Sequence, residues 1–465
     1  MSGSATPLIA AGASDEIVAW REGHAVTAAR FLAEAARVAD DLPAGRHVLN
    51  LCADRYRFAV AFCAAVLAGK TSLLPPNHSP ELIDRLRELY DDVYVISDNE
   101  QVQTGLRVSP YPQHSLVQGS AGGIAEVPLI DDQQVVAHVF TSGSTGRPTA
   151  HCKRWARLVY NVQSEALRLG IVPGSASTLV GTVPAQHMYG FESSVLIALL
   201  GGAAFDTERP FYPADIAAAL ARLPRPRLLV TTPFHLKTLL DSKVALPPID
   251  LTLCATAPLQ PQLAARAEAA LAAPLVEIYG CTEAGQVATR RSVAGPEWRV
   301  YDGLRLAGDG ASTTIAGGHV PQPTPLADVL EVIDAEHFRL LGRSNDLVNI
   351  AGKRSSIGHL NHHLQAIDGV VDGAFWMPPE HAADAAIVRL VAFVVAPGLS
   401  DAAILAALRE RIDPSFLPRP IVRLDALPRD PSGKLPAARL AALAEQTIRP
   451  ARAAGAAIDD RPAAS

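Results

Sequence analysis

Paired cysteines are missing from this 465-residue sequence. Its five cysteines, Cys52, Cys63, Cys152, Cys254 and Cys281, are scattered, and no two form a Cys-x-x-Cys step. That argues against a zinc site or a disulfide framework and fits reduced thiols in the cytoplasm. Long apolar runs are missing too. The longest near the N-terminus, residues 58–69, is too short to cross a bilayer, so no transmembrane segment is expected. Residues 1–15 lack the basic start and apolar centre of a signal peptide, and a cytoplasmic location is the expectation. There is no excess of positive charge: the formal net charge is −6, which argues against broad nucleic-acid binding. Two familiar active-site motifs fail on inspection. Gly69-Lys70-Thr71 has the ending of a Walker A loop, but Ala64 stands where the first glycine belongs. A hydrolase elbow needs Gly-x-Ser-x-Gly, and Ser142 occupies the place of its first glycine.

What is present is apolar and periodic. Hydrophobic residues make up 49% of the chain, enough for two or more domains with sizeable cores. Helix-like segments at 25–40, 56–68 and 80–90 alternate with strand-like ones at 47–52, 71–74 and 92–96. This rhythm predicts a largely parallel, helix-covered sheet. An apolar strand over 135–140 then breaks into Thr141-Ser142-Gly143-Ser144-Thr145-Gly146-Arg147-Pro148, and a helix over 152–169 is expected to follow. Strand, loop of glycines and hydroxyls, then helix is the layout of a phosphate cradle. A strand over 177–183 runs into Pro184-Ala185-Gln186-His187-Met188-Tyr189-Gly190-Phe191-Glu192, beyond a strand end where α/β sheets hold ligands. A strand over 274–278 ends in Tyr279-Gly280-Cys281-Thr282-Glu283: a ring able to stack on a base, a hydroxyl, and a carboxylate able to hold Mg2+. His359, His362 and His363 recur at helical spacing without an acidic or cysteine partner, which reads as a wet helix face rather than a metal cluster.

Thr-Ser-Gly-Ser-Thr-Gly-x-Pro resembles the signature loop of the adenylate-forming superfamily, which includes acyl- and aryl-CoA synthetases, peptide-synthetase adenylation domains and luciferases. Further matches recur in that family's order: the Pro-x-x-His-x-x-Gly segment at His187, Tyr-Gly-x-Thr-Glu at Tyr279, the hinge motif from Gly342, and the closing Pro-Ser-Gly-Lys at Lys434. The resemblance implies an α/β fold. Its large N-terminal domain of stacked α/β sheets, with a small barrel-like subdomain, would cover 1–343. A hinge at 344–346, a small mobile α+β C-terminal domain at 347–448 and a flexible tail at 449–465 would follow.

The resemblance also implies roles. Thr141 to Gly146 would hold phosphates, and Thr256, Ala257, Pro258, Tyr279 and Gly280 would contact the nucleotide. Glu283 would take Mg2+, Thr282 would bond phosphate or carboxylate, and Asp328 and Arg343 would reach the ribose or phosphates. His187 would border the carboxylate pocket, with Met188, Tyr189 and Phe191 as its walls. Gly352 and Arg354 would face the thioester-forming state, and Lys434 would stabilise charge on the α-phosphate. The activity implied is ATP-dependent acid–thiol ligation through an acyl-AMP, using Mg2+ and either CoA or the phosphopantetheine of an acyl carrier protein. The favoured substrate is an aryl acid such as 4-hydroxybenzoate. A medium-chain fatty acid, an amino acid (from the likeness of Phe191-Glu192-Ser193-Ser194 to Phe-Asp-x-Ser) and a non-catalytic nucleotide-binding role are the alternatives. One departure stands out. The loop's usual closing Pro-Lys-Gly is Pro148-Thr149-Ala150 here, and Lys153 and Arg147 are the candidate replacements for its lysine.

Overall fold

The computed structural model describes residues 4–10, 12, 14–75, 78–99, 101–102, 104–112, 126–142, 148–308, 312–343, 347–350, 353–378, 389–429 and 435–456. The N-terminal rhythm is realised much as the sequence predicts. Side-chain oxygens of Thr27, Asp54 and Ser79 cap the helices Ala28–Asp41, Arg55–Leu67 and Pro80–Leu89, each accepting from a backbone N–H in the first turn. These helices alternate with the strands His47–Asn50, Thr71–Leu74 and Val93–Ser97.

A first sheet runs in the order Pro148–Arg154, Val135–Ser142, Thr71–Leu74, His47–Asn50, Val93–Ser97, Arg107–Pro110. All its pairs are parallel except the first. A second, larger sheet includes Glu297–Val300, Gly285–Arg290, Leu275–Cys281, Leu251–Cys254, Arg227–Thr231, Thr178–Gly181, Ala204–Asp206, Ile17–Arg21 and His24–Thr27 in that order. Its central pairs, from Leu275–Cys281 through Ile17–Arg21, are parallel. Strands Leu304–Gly308, Thr313–Gly317 and Val320–Pro325 form a separate small sheet.

The helix Arg55–Leu67 is apolar on every face and is buried along nearly its whole length. Phe58 and Phe62 meet Phe191 edge to face, with ring centroids 6.0 and 4.8 Å apart. Each ring fully removed from water contributes about 2 kcal/mol. Arg55 opens the same helix and is itself buried. Its Nη2 donates to the carbonyls of Gly181 and Val183, 2.8 Å from each, at the end of a strand of the second sheet. Burial lowers its guanidinium to about 10, so it stays protonated at neutral pH. Lys70 is likewise structural: Nζ donates to the carbonyls of Pro43 and Gly45 at 2.7 and 2.6 Å.

The chain divides into two compact units. The large one holds residues 1–307, 314–325 and 334–337, and the small one 308–313, 326–333 and 338–465. In the small unit Asp328–Val332 pairs antiparallel with His337–Arg343, and Leu347–Ile350 with Lys353–Ser356. A three-stranded sheet of Asp372–Trp376, Val391–Val395 and Ile421–Arg423 carries helices on a core that includes Leu360, Leu364, Phe375, Val394 and Leu408. The expected hinge, 344–346, lies outside the described residues. The helix Ala437–Ala456 runs past residue 448, where a flexible tail was expected to begin. No helix among the described residues is long and apolar enough to cross a membrane.

Two local expectations are corrected. The segment after the signature loop is not yet helix: Pro148–Arg154 is a strand, and the helix spans Trp155–Arg168. His151 and Lys153 are half-buried while Cys152 and Arg154 are exposed, the period-two alternation of a strand. The loop therefore joins two antiparallel strands instead of opening a helix. Similarly, the strand expected to stop at 278 continues to Cys281 and turns back at Gly285.

Replacing Arg55 by Met would leave the Gly181 and Val183 carbonyls without this donor. We expect a loss of about 3 kcal/mol, the usual size for breaking a buried charged interaction, read by urea unfolding. A loss under about 1 kcal/mol would show that the tie between the sheets is not structural.

Candidate active site

Two hairpins of the large unit carry the motifs. In the first, Ser142 stands opposite Pro148 and Thr141 opposite Thr149. Residues Gly143, Ser144, Thr145 and Gly146 lie outside the described residues, so the structure locates the loop by its two roots. In the second, Gly280 stands opposite Gln286 and Cys281 opposite Gly285, which makes Thr282-Glu283-Ala284 the tip. Gly285 has φ +79°, and a Cβ there would lie 2.6 Å from Asn161 Nδ2, so both the turn and the contact require glycine.

The two hairpins are joined directly. Lys153, on the strand leaving the loop, donates from Nζ to the carbonyl of Thr282 at 2.7 Å. Glu283 beside it is 42% exposed, and its nearest ion-pair partner is His151 Nε2 at 3.8 Å. Burial holds His151 below its usual range, so at neutral pH it is mostly uncharged and leaves the carboxylate's charge in place. One half-exposed carboxylate next to a hydroxyl suits Mg2+, which takes one or two protein ligands and completes its shell with water and phosphate oxygens. No cluster of three or more His, Cys, Asp or Glu capable of holding a metal occurs among the described residues.

His187 caps the short helix Met188–Gly190, and its Nδ1 accepts from the Tyr189 N–H at 3.3 Å. That bond assigns the ring proton of the neutral form to Nε2. His187 lines a cavity of about 410 Å³ together with Gln186, His78 and Arg209. A Cβ on Gly190 would fall 2.0 Å from the Pro184 carbonyl oxygen, so only glycine closes this turn. Met188 is half-buried. Tyr189 is buried, and its hydroxyl donates to the carbonyls of Thr231 and Leu253 at strand ends, 3.2 and 3.0 Å away. Phe191, expected as a pocket wall, is instead enclosed with Phe58 and Phe62 in the core, because the chain enters a π-helical stretch, Phe191–Leu196, that turns it inward.

Thr256, with φ +81°, and Ala257 and Pro258 follow the strand Leu251–Cys254 at the same edge. The ring of Tyr279 is buried against Trp298 at 5.8 Å. In the small unit, register puts Asp328 directly opposite Arg343, which joins the two residues expected at the ribose. Arg354 stands opposite Asn349 on the next hairpin. Gly352 and Lys434 lie outside the described residues.

The sequence profile of a family described as AMP-binding enzyme matches residues 9–339. The chain belongs to this AMP-binding enzyme family. The adenylate-forming resemblance read from its motifs is thereby borne out. Among its relatives, a 4-coumarate–CoA ligase of Rhodobacter capsulatus is 32% identical over 274 residues, covering 59% of this chain and 66% of that protein. The chain thus spans just under two thirds of that relative. A 4-chlorobenzoate–CoA ligase of an Arthrobacter species is 27% identical over 231 residues, 49% of this chain and 40% of that one. The fold matches ATP-bound MatB from Rhodopseudomonas palustris with a TM-score of 0.76 at 19% identity, over 93% of this chain and 96% of the other.

This AMP-binding enzyme also holds a group of buried polar residues that its motifs do not announce. Asn161 and Glu165 lie on the buried face of Trp155–Arg168, where Leu158, Val162 and Ala166 are apolar. Asn161 Nδ2 donates to Glu192 Oε1 at 3.0 Å. Gln286 donates to Ser193 Oγ at 2.9 Å and accepts from the Tyr301 hydroxyl at 3.3 Å. Glu165 is 0% exposed, and neither of its oxygens makes a regular hydrogen bond. The sequence signal was available: two polar residues four apart on an apolar stripe.

Burial raises Glu165 to about 8 and Glu192 to about 7, with Lys153 and Asn161 pulling Glu192 partly back. Burial raises Asp206 to about 7 as well. Between the ordinary carboxylate range and pH 8, the folded chain holds protons that the unfolded chain has released. Stability therefore falls as pH rises through this window. We expect Tm to drop from pH 5.5 to pH 8.5 and Glu165→Gln to flatten the drop, measured by calorimetry. An unchanged slope would show that Glu165 does not keep its proton.

Proposed function

We propose that this enzyme activates an aryl carboxylic acid with Mg-ATP as the acyl-adenylate and passes the acyl group to a thiol, CoA in the first instance. The observation that carries the reading is the likeness over 274 residues to the R. capsulatus 4-coumarate–CoA ligase. The favoured acid is a hydroxybenzoate. The cavity of about 410 Å³ that His187 lines supports a small acid. An α-amino acid is disfavoured. Glu192, the acid that would receive an amino group, is 3% exposed and already bonded by Asn161.

In the first half-reaction a carboxylate oxygen attacks the α-phosphorus and pyrophosphate leaves. Both reactants are anions, so the protein's task is to align them and to place positive charge where negative charge gathers. His187 orients the acid. The loop rooted at Thr141 and Pro148 holds the phosphates. Asp328 and Arg343 take the ribose. Glu283, with the Thr282 hydroxyl beside it, would hold Mg2+, which supplies charge neutralisation on the phosphates. Lys434 stabilises charge at the α-phosphate. In the second half-reaction the thiol attacks the acyl carbon and AMP leaves, with Gly352 and Arg354 facing the thiol's arm.

The test is pyrophosphate and AMP release with Mg-ATP over a panel of hydroxybenzoates, cinnamates, medium-chain fatty acids and amino acids, each with and without CoA. We expect aryl acids to lead, with AMP release dependent on CoA. Turnover confined to fatty or amino acids would overturn the aryl reading, and AMP release indifferent to CoA would overturn the acceptor. Lys434→Ala should slow pyrophosphate release about 100-fold, the usual effect of removing one charge-stabilising donor, with little change in ATP affinity. An unaltered rate would remove Lys434 from the mechanism.

A further inference from the structure

The lysine that usually closes the signature loop is replaced by Thr149. Further along the same strand, Lys153 sends its ammonium to the carbonyl oxygen of Thr282, 2.7 Å away. That oxygen belongs to the residue immediately before Glu283, at the tip of the other hairpin. The bond thus joins the first sheet to the second, from a point opposite Ala137 on the strand leaving the signature loop to the tip of the second hairpin. Burial pulls the Lys153 ammonium below its usual range, and Glu192, itself almost wholly buried, is the largest influence opposing that. Glu192 is in turn fixed by Asn161, one helical stretch after Lys153 in sequence, and Asn161 abuts Gly285 at the far root of the Thr282–Glu283 turn. Residues 153 and 161 therefore grip both sides of one turn.

We propose that Lys153 is a positioning residue: its ammonium pins the Thr282–Glu283 turn to the strand leaving the loop and so sets where the Glu283 carboxylate stands. Lys153 does not take over the missing lysine's place on the phosphates. It contributes to the nucleotide site through the backbone of Thr282. A charged donor on a carbonyl is a strong hydrogen bond, stronger when water is excluded. Groups that orient a metal ligand in this way typically change metal affinity by about 10–100-fold when removed.

The inference rests on the adenylation reading, so wild-type pyrophosphate release is measured first; its absence with every acid counts against that reading and not against the clamp. The clamp is tested by ATP binding in a calorimeter across a Mg2+ titration, without any acid, for wild type, Lys153→Met, Lys153→Arg and Glu192→Gln. We expect Lys153→Met to raise the Mg2+ concentration at half-saturation by about 10-fold or more while binding of ATP without Mg2+ is unchanged. Lys153→Arg should restore part of the shift, and Glu192→Gln should give a smaller shift in the same direction. In turnover, KM for Mg-ATP should rise more than kcat falls. A Lys153→Met protein with a lower Tm but a wild-type Mg2+ midpoint would overturn the proposal, leaving Lys153 a packing residue. If Lys153→Met does not fold, Lys153→Gln, shorter and uncharged, decides in its place: a wild-type midpoint in it would overturn the proposal equally. Loss of ATP binding in the absence of Mg2+ would contradict it as well, by placing Lys153 on the phosphates.

Discussion

A charge taken out of water must find a partner close by, and the interior of the large unit is organised by that requirement. Arg55 is buried and donates from Nη2 to two carbonyls at a strand end of the other sheet. Lys153 does the same with the Thr282 carbonyl. In each case a cation from one layer ends on backbone oxygens of another, where hydrophobic contact alone would allow sliding. Burial against Phe58, Phe62 and Phe191 supplies the bulk of the attraction, and the directional bonds select one register.

The same constraint explains where the site is. Parallel strands end at one edge of the sheet, and the loops that leave that edge are free to carry chemistry while the strands stay rigid. Thr256, Thr282, Glu283 and His187 all follow such strands. In this chain the two motif-bearing loops belong to β-hairpins, and Lys153 of one bonds the tip of the other. A hairpin's tip is fixed by its two strands, so a bond to one tip carbonyl governs the neighbouring side chain. The turn thus has an anchor in Lys153 although Thr149 stands where the signature loop usually closes with lysine.

Much of this was legible in the sequence. The alternation of helix-like and strand-like segments from 25 to 96 placed helices and strands to within a few residues, and each of these helices has its own side-chain cap. The motifs located His187, Thr282 and Glu283, and register then put Asp328 opposite Arg343. Less legible was the strand Pro148–Arg154. Its alternation is short and it leads straight into a helix without a capping side chain, so a helical period was read across both. Phe191 misled for a different reason: an aromatic beside a motif looks like a pocket wall, and only the π-helical turn sends it to the core. The carboxyls of Glu165 and Glu192 were hardest to foresee. Their significance lies in what surrounds them in space, and sequence spacing showed no more than a polar pair on an apolar stripe.

The proposed chemistry requires this enzyme to join an acid to AMP before any thiol takes part. The direct test is isotope exchange between pyrophosphate and ATP, with Mg2+ and the acid present and no CoA or carrier protein. We predict that label enters ATP only when the acid is added, since exchange requires reversible formation of the acyl-adenylate. Exchange that ignores the acid, or none with any acid while ATP binding is intact, would contradict the claim.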